Sequence, residues 1–153
     1  MALMTVRRAV ALLFAVLIIA VVAIPAQAKD EFSLFDSSGR PAAYVAEGLT
    51  IYLWSGTPVA YLREDELSDG FHVYGFNGKH LGWFISGIIR DHHGDAVGGL
   101  KEAFRSPTQV EPLKGLKQSK PLKSAAELPP VPPALSRDRS EISLGSFLQQ
   151  GVD

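Results

Sequence analysis

The sequence predicts an all-β fold of four tandem β-hairpins in a pseudo-fourfold arrangement, and three observations predict it. A short motif occurs four times, as LFDSSGRPAAYV at 34–45, IYLWSGTPVAYL at 51–62, VYGFNGKHLGWF at 73–84 and IRDHHGDAVGGL at 89–100. Each copy pivots on a glycine, and Gly39, Gly56, Gly78 and Gly94 stand 17, 22 and 16 residues apart. Apolar runs of strand length flank each pivot.

Each copy reads as a hairpin. Ser38-Gly39, Ser55-Gly56, Asn77-Gly78 and His93-Gly94 fall between the two runs. Glycine supplies positive φ without steric cost, and Asn-Gly is the strongest short signal for a two-residue type I′ turn. That turn sets a register in which Phe76 faces Lys79, Gly75 faces His80, Tyr74 faces Leu81 and Val73 faces Gly82. Applied to all copies, it sets an aliphatic column, Leu34, Ile51, Val73 and Ile89, opposite a small one, Ala43, Ala60, Gly82 and Gly98. Side chains alternate faces along a strand, so these columns share one face. A large residue facing a small one in every copy points to close packing around a central axis. The other face carries Phe35, Tyr52 and Tyr74, then Ala42, Val59, Leu81 and Val97, and ends with Tyr44, Tyr61 and Trp83. One hairpin alone is marginal in water, whereas four around an axis bury a shared core and satisfy each other's edges. The fourth copy departs from the pattern, with Arg90 for the aromatic and Gly99 for Tyr or Trp, as terminal repeats often do.

The repeats, above all NGKHLGWF followed by GIIRDHHGDAVG, resemble the four-fold beta flower domain over residues 32 to 104. The resemblance implies four hairpins in pseudo-fourfold symmetry. The family has no established activity, so the resemblance implies no catalytic residue.

The N-terminus reads as an export signal. Arg7 and Arg8 precede an uncharged apolar run of 16 residues, Ala9 to Ile24, which Pro25 ends before the small-x-small site Ala26-Gln27-Ala28. Residues 1–28 are the expected signal peptide, forming a signal helix, and the mature chain is periplasmic or secreted, of bacterial type. The alternative is an uncleaved transmembrane anchor, against which the run falls short of the roughly 20 residues a spanning helix needs. The chain has no cysteine, so neither a disulfide nor a cysteine-linked lipid is available.

Charge and composition divide the mature chain at residue 104. Residues 29–104 hold 6 Lys/Arg and 11 Asp/Glu, a net of −5, with the acid excess in the linker Arg63–Gly70. Residues 105–153 hold 7 and 5, a net of +2, and 7 of the 10 prolines. Lys114, Lys117, Lys120 and Lys123 recur every third residue, but Gly115 and Pro121 oppose a helix. The segment is expected to be a Pro-rich tail, disordered or polyproline II, with lysines available to anionic lipid or wall polymer. The run Pro129-Pro130-Val131-Pro132-Pro133 reads as a spacer or as a ligand for an aromatic-lined groove. Ile142, Leu144, Phe147 and Leu148 form an apolar set suited to a short docking helix.

One constellation offers catalysis, Asp91-His92-His93-Asp95, whose residue types ligate metals. In the aligned register His93 is a turn residue and His92 pairs with Asp95. Strand neighbours point to opposite faces, which opposes joint chelation. His72 and His80 are expected to be separate polar surface groups. The reading adopted is a non-enzymatic binding or structural module, with no catalytic, cofactor or metal residue assigned. The alternatives are a small secreted metal-dependent enzyme using that turn and a membrane-anchored envelope scaffold. The candidate ligand or partner surface is Tyr44, Trp54, Tyr61 and Trp83, with an envelope protein or cell-wall polymer as partner. A domain charge of −5 gives nucleic acid no footing.

Overall fold

Four hairpins form and close on one another. The computed structural model describes residues 31–153, and the expected signal segment 1–28 lies outside the described residues. Strand β1 (Phe32–Asp36) pairs with β2 (Pro41–Ala46), β3 (Thr50–Leu53) with β4 (Pro58–Glu64), β5 (Phe71–Gly75) with β6 (His80–Ile85), and β7 (Ile88–Arg90) with β8 (Ala96–Gly99). Successive hairpins pair antiparallel, and β8 returns to β1, so the eight strands make a closed barrel. Closure removes the unpaired edges of an isolated hairpin.

The predicted large–small columns hold in every copy: Leu34 opposes Ala43, Ile51 opposes Ala60, Val73 opposes Gly82 and Ile89 opposes Gly98. The turn is different from the expected one. Each pivot glycine donates its N–H to the carbonyl three residues back, on Asp36, Leu53, Gly75 or Asp91, at 2.8–3.0 Å. Gly78 sits at φ +88°, while Asn77 is not among the positive-φ residues, so a type I′ turn is excluded. The loop is three residues long, a type I turn closed by a left-handed glycine. Asp36 and Asp91 favour it: each Oδ1 accepts the N–H groups of the residues two and four further on, at 2.9 and 3.0 Å.

A β-bulge absorbs the added residue. Tyr74 opposes His80 rather than Leu81, and the same slip occurs in the other three hairpins. The bulge turns Ala42, Val59, Leu81 and Val97 toward the interior, which corrects their expected place on the other face. Val59, Leu81 and Val97 are buried with Leu34, Ile51, Val73 and Ile89 in one core, and Ala42 packs against it.

A short helix, α1 (Leu144–Gln149), completes that core. Ser143 caps it, its Oγ accepting the Ser146 N–H at 3.2 Å. Leu144, Phe147 and Leu148, at the i, i+3, i+4 spacing of one face, are buried among the inward strand residues. The small column allows close approach of strand and helix: a Cβ on Gly82 would lie 2.0 Å from the Arg90 carbonyl oxygen and 3.1 Å from the Phe147 ring, and one on Gly98 2.5 Å from the Phe35 carbonyl oxygen and 2.9 Å from the Leu144 side chain. Asn77 ties the chain end down, its N–H bonded to the Gly151 carbonyl at 3.0 Å and its Nδ2 to the Gln150 and Asp153 carbonyls at 2.8 and 2.9 Å.

Residues 105–143 carry no helix and only one bridge residue, Arg139 beside Ala96, yet they are not a free tail. The N–H groups of Gln109, Gln118, Glu127 and Ser136 donate to the carbonyls of Gly39, Gly56, Gly78 and Gly94 at 2.8, 2.9, 2.9 and 3.1 Å. These donors stand nine residues apart, so the segment is a belt that passes the four turns in order. Gly115 and Ser124 donate as well, to the Trp54 and Phe76 carbonyls at 2.9 and 2.8 Å. All six donors share one phase of a three-residue period, and proline fills the rest of that phase, at 112, 121, 130 and 133. Three residues per turn is the period of polyproline II, which leaves its backbone groups free for outside partners. Disorder is therefore corrected. The N–H groups that a solvated tail would give to water meet turn carbonyls in register, and the folded unit runs on past Phe104 to α1.

Candidate functional site

Each seam between hairpins presents one cross-strand pair at an equivalent position. These are Tyr44 and Tyr52, Tyr61 and Tyr74, Trp83 and Arg90, and, where hairpin 4 meets hairpin 1, Gly99 and Phe35. Tyr44, Tyr61 and Trp83, one from each of the first three, make up with Trp54 the surface that the sequence offers to a ligand.

At the first seam Tyr44 stacks on Tyr52 with centroids 5.4 Å apart, and Trp54 meets Tyr44 edge-on at 5.9 Å. The belt lies over them. Lys114 Nζ is 4.3 Å from the Tyr44 centroid and 5.3 Å from that of Trp54, and Lys117 Nζ is 5.8 Å from both tyrosines. Both ammonium groups pair with Glu31, Lys114 at 3.0 Å. The Lys117 hydrogen bond, with Lys114 behind it, holds the Glu31 carboxyl below its ordinary pKa. Trp54 Nε1 donates to the Pro112 carbonyl at 3.1 Å.

The second seam repeats the arrangement. Tyr61 stacks on Tyr74 at 5.9 Å, Lys123 Nζ sits 3.9 Å from the Tyr61 centroid, and the Tyr74 hydroxyl donates to the Glu127 carbonyl at 2.9 Å. Lys120 donates to the Glu47 carbonyl at 3.1 Å. All four lysines of the every-third-residue ladder thus contact the barrel. Burial raises the pKa of the Tyr44, Tyr52, Tyr61 and Tyr74 hydroxyls. Of the predicted surface residues, Tyr44, Tyr61 and Trp83 are buried, and Trp54 is half-buried under Lys114. The aromatic platform is the seat of the chain's own belt.

The third seam holds a histidine chain. His72 Nδ1 lies 3.1 Å from His80 Nε2, His80 Nδ1 lies 3.0 Å from His92 Nε2, and Asp65 Oδ1 lies 3.6 Å from His72 Nε2. Trp83 packs edge-on against His80 at 4.8 Å. His72 and His80 are buried, which corrects their expected surface place. The bulge is the cause: a one-residue slip moves His80 from opposite Gly75 to opposite Tyr74, and so to the face of His72. Burial, then His92, His72 and Arg63, lower the His80 pKa from 6.5 to about 4, so it is neutral at pH 7. A neutral imidazole offers one donor and one acceptor, which is what its two neighbours use.

Asp91, His92, His93 and Asp95 do not converge. Asp91 caps its own turn, His93 and Asp95 lend it backbone N–H groups, and His92 joins the histidine chain. Among the described residues no three His, Asp or Glu side chains are grouped so that they could hold a metal ion. The belt was the element missed in the sequence, although its nine-residue period is written there in Pro112, Pro121 and Pro130 and in Gln109, Gln118, Glu127 and Ser136.

A closed barrel of four like hairpins, each turn bonded to a C-terminal belt, defines a hairpin-repeat module. The model of the 4-fold beta flower protein family matches residues 32–148, which takes in the hairpins, the belt and most of α1, and the chain belongs to that family. No curated protein and no solved structure matches it.

Proposed function

We propose that the chain is an exported, non-enzymatic binding module, with the belt an integral part of its folded unit. The observation that carries this reading is the use made of the side chains best suited to catalysis. Asp91 Oδ1 accepts two turn N–H groups in the same geometry as Asp36 in the first hairpin, and His92 is committed to His80. The carboxylate and the imidazole act as hydrogen-bonding parts of a repeated scaffold. Export rests on the basic, apolar and small-residue pattern of residues 7–28.

The test is made on chain purified from its own host envelope fraction. Its N-terminal sequence is expected to begin at Lys29. Elemental analysis is expected to find no stoichiometric metal, and chelator to leave the melting temperature unchanged. Stoichiometric zinc, or a hydrolytic activity lost in His92→Ala, would replace the module with the metal-dependent enzyme.

A further inference from the structure

The fourth seam, between hairpins 4 and 1, is unlike the other three. The belt enters at hairpin 1 with Gln109 and reaches hairpin 4 with Ser136, so it spans three seams, and the fourth is crossed instead by the link from β8, residues 100–108. The sequence departs from its repeat at the same place, with Gly99 where the other seams have Tyr44, Tyr61 or Trp83. A cleft of about 860 Å³, within the size range of small-molecule sites, lies between that link and the end of the belt.

The charged part of its lining has one sign. Arg90 comes from β7, Arg105 from the start of the belt, and Arg137 and Arg139 from its end. Ser37, Ser106 and Ser136 add hydroxyl groups, the Ser38 hydroxyl donates to Asp36 Oδ1 at 2.6 Å, and no Asp or Glu lines the cleft. Among the described residues the only arginine within 4.0 Å of a carboxylate is Arg40, paired with Asp36 at 3.0 Å, so the four cleft arginines are not neutralised in that way. Elsewhere the belt's lysines rest on aromatic rings, on Glu31 or, for Lys120, on the Glu47 carbonyl, but here both belt ends bring cations to an open space. Arg90 is positioned by bonds from Nη1 to the Gly94 and Ser136 carbonyls at 2.7 Å each, and its Nε is buried with no partner among the described residues. Like charges held together repel unless a counter-charge joins them. The planar guanidinium fork matches phosphate oxygens, and hydroxyl donors complete such a shell.

We propose that the cleft at the fourth seam binds a small organic phosphate, its charge held by Arg105, Arg137 and Arg139 and its carbon skeleton set against Ile88, Phe104 and Pro107. The site deepens the binding-module reading and rests on it.

Pyrophosphate is the probe, titrated calorimetrically into the full mature chain in phosphate-free buffer, with citrate and sodium chloride of equal ionic strength as comparisons. Saturable 1:1 binding of pyrophosphate is expected, with affinity lowered tenfold or more in Arg105→Ala and in Arg137→Ala/Arg139→Ala. The belt is held here by the backbone of Ser136, Asp138 and Ser140, so these variants keep their fold, which their unliganded melting temperature checks. Lys114→Ala, a belt cation at another seam, is expected to bind as wild type does. The proposal is overturned if pyrophosphate does not saturate, if citrate binds as tightly, or if Lys114→Ala weakens binding as much as the arginine variants do. Phosphate release is followed in the same samples. Hydrolysis of pyrophosphate would remove the non-enzymatic reading and keep the site, whereas absent binding without hydrolysis or metal would remove the site alone.

Discussion

Protonating His80 is expected to destabilise the fold at a pH where the carboxylates are still charged. The imidazole is 3% exposed and lies between His72 and His92, with Trp83 and Tyr74 against its ring and Arg63 nearby. Its pKa falls from 6.5 to about 4 on folding. The folded state therefore binds this proton less readily than the unfolded state. Stability is whole above pH 6.5 and drains as pH falls toward 4. Integrating between those values gives a loss of about 1 kcal/mol at pH 5.5 and roughly 2–3 kcal/mol at pH 4.5, relative to pH 7.5. Glu31, Asp36, Asp65 and Asp91 have lowered pKa values, so their contribution is lost only as pH falls through the ordinary carboxylate range and below. The window from 6.5 to 5 belongs to the histidine. Urea unfolding at pH 7.5, 6.5 and 5.5 measures it, and with an m-value of about 1–2 kcal/mol/M the midpoint drops by roughly 1 M at pH 5.5. An NMR titration of the His80 ring reads the group directly. A flat midpoint across that range, or a His80 ring titrating near 6.5, would refute the burial argument.

The belt and the core are tested by substitution. Gly78→Ala places a Cβ 2.1 Å from the Ala125 carbonyl oxygen at φ +88°, and a loss of at least about 1–2 kcal/mol is expected, with faster amide exchange at Ser124 and Glu127. Phe147→Ala empties the helix's largest core position, and urea unfolding is expected to show a loss of about 3–5 kcal/mol. Lys114→Met removes the Glu31 pair and the cation over Tyr44 at a partly exposed site. Its cost is expected to stay under about 1 kcal/mol and to shrink further in 1 M salt. Acrylamide is expected to quench Trp54 and leave Trp83 dark to it, read in the single variants Trp83→Phe and Trp54→Phe.

The local part of this architecture was legible in the chain. Pivot glycines, apolar runs and small columns act between residues a few positions apart, so Leu34 against Ala43 and Val73 against Gly82 follow from counting. The turn length was not legible from the glycine. A three-residue loop with a bulge and a two-residue loop without one give the same pairing three steps from the turn. They differ only nearer to it, where the slip sends Leu81 inward and His80 to the side of His72. The belt is not legible in the sequence because its residues, taken one by one, suit water as well as a barrel surface. Its prolines and lysines do suit a solvated chain, and nothing local says that a barrel stands beside them.

By itself, then, the sequence determined four hairpins, their facing columns and the apolar face of α1, because these depend on backbone geometry and alternation within short spans. Barrel closure decided the rest. It brings Gly39 to Gln109, Tyr44 to Lys114 and Arg90 to Ser136, partners that meet only in three dimensions. It also decides that the belt crosses three of the four seams and brings both of its basic ends to a cleft at the fourth.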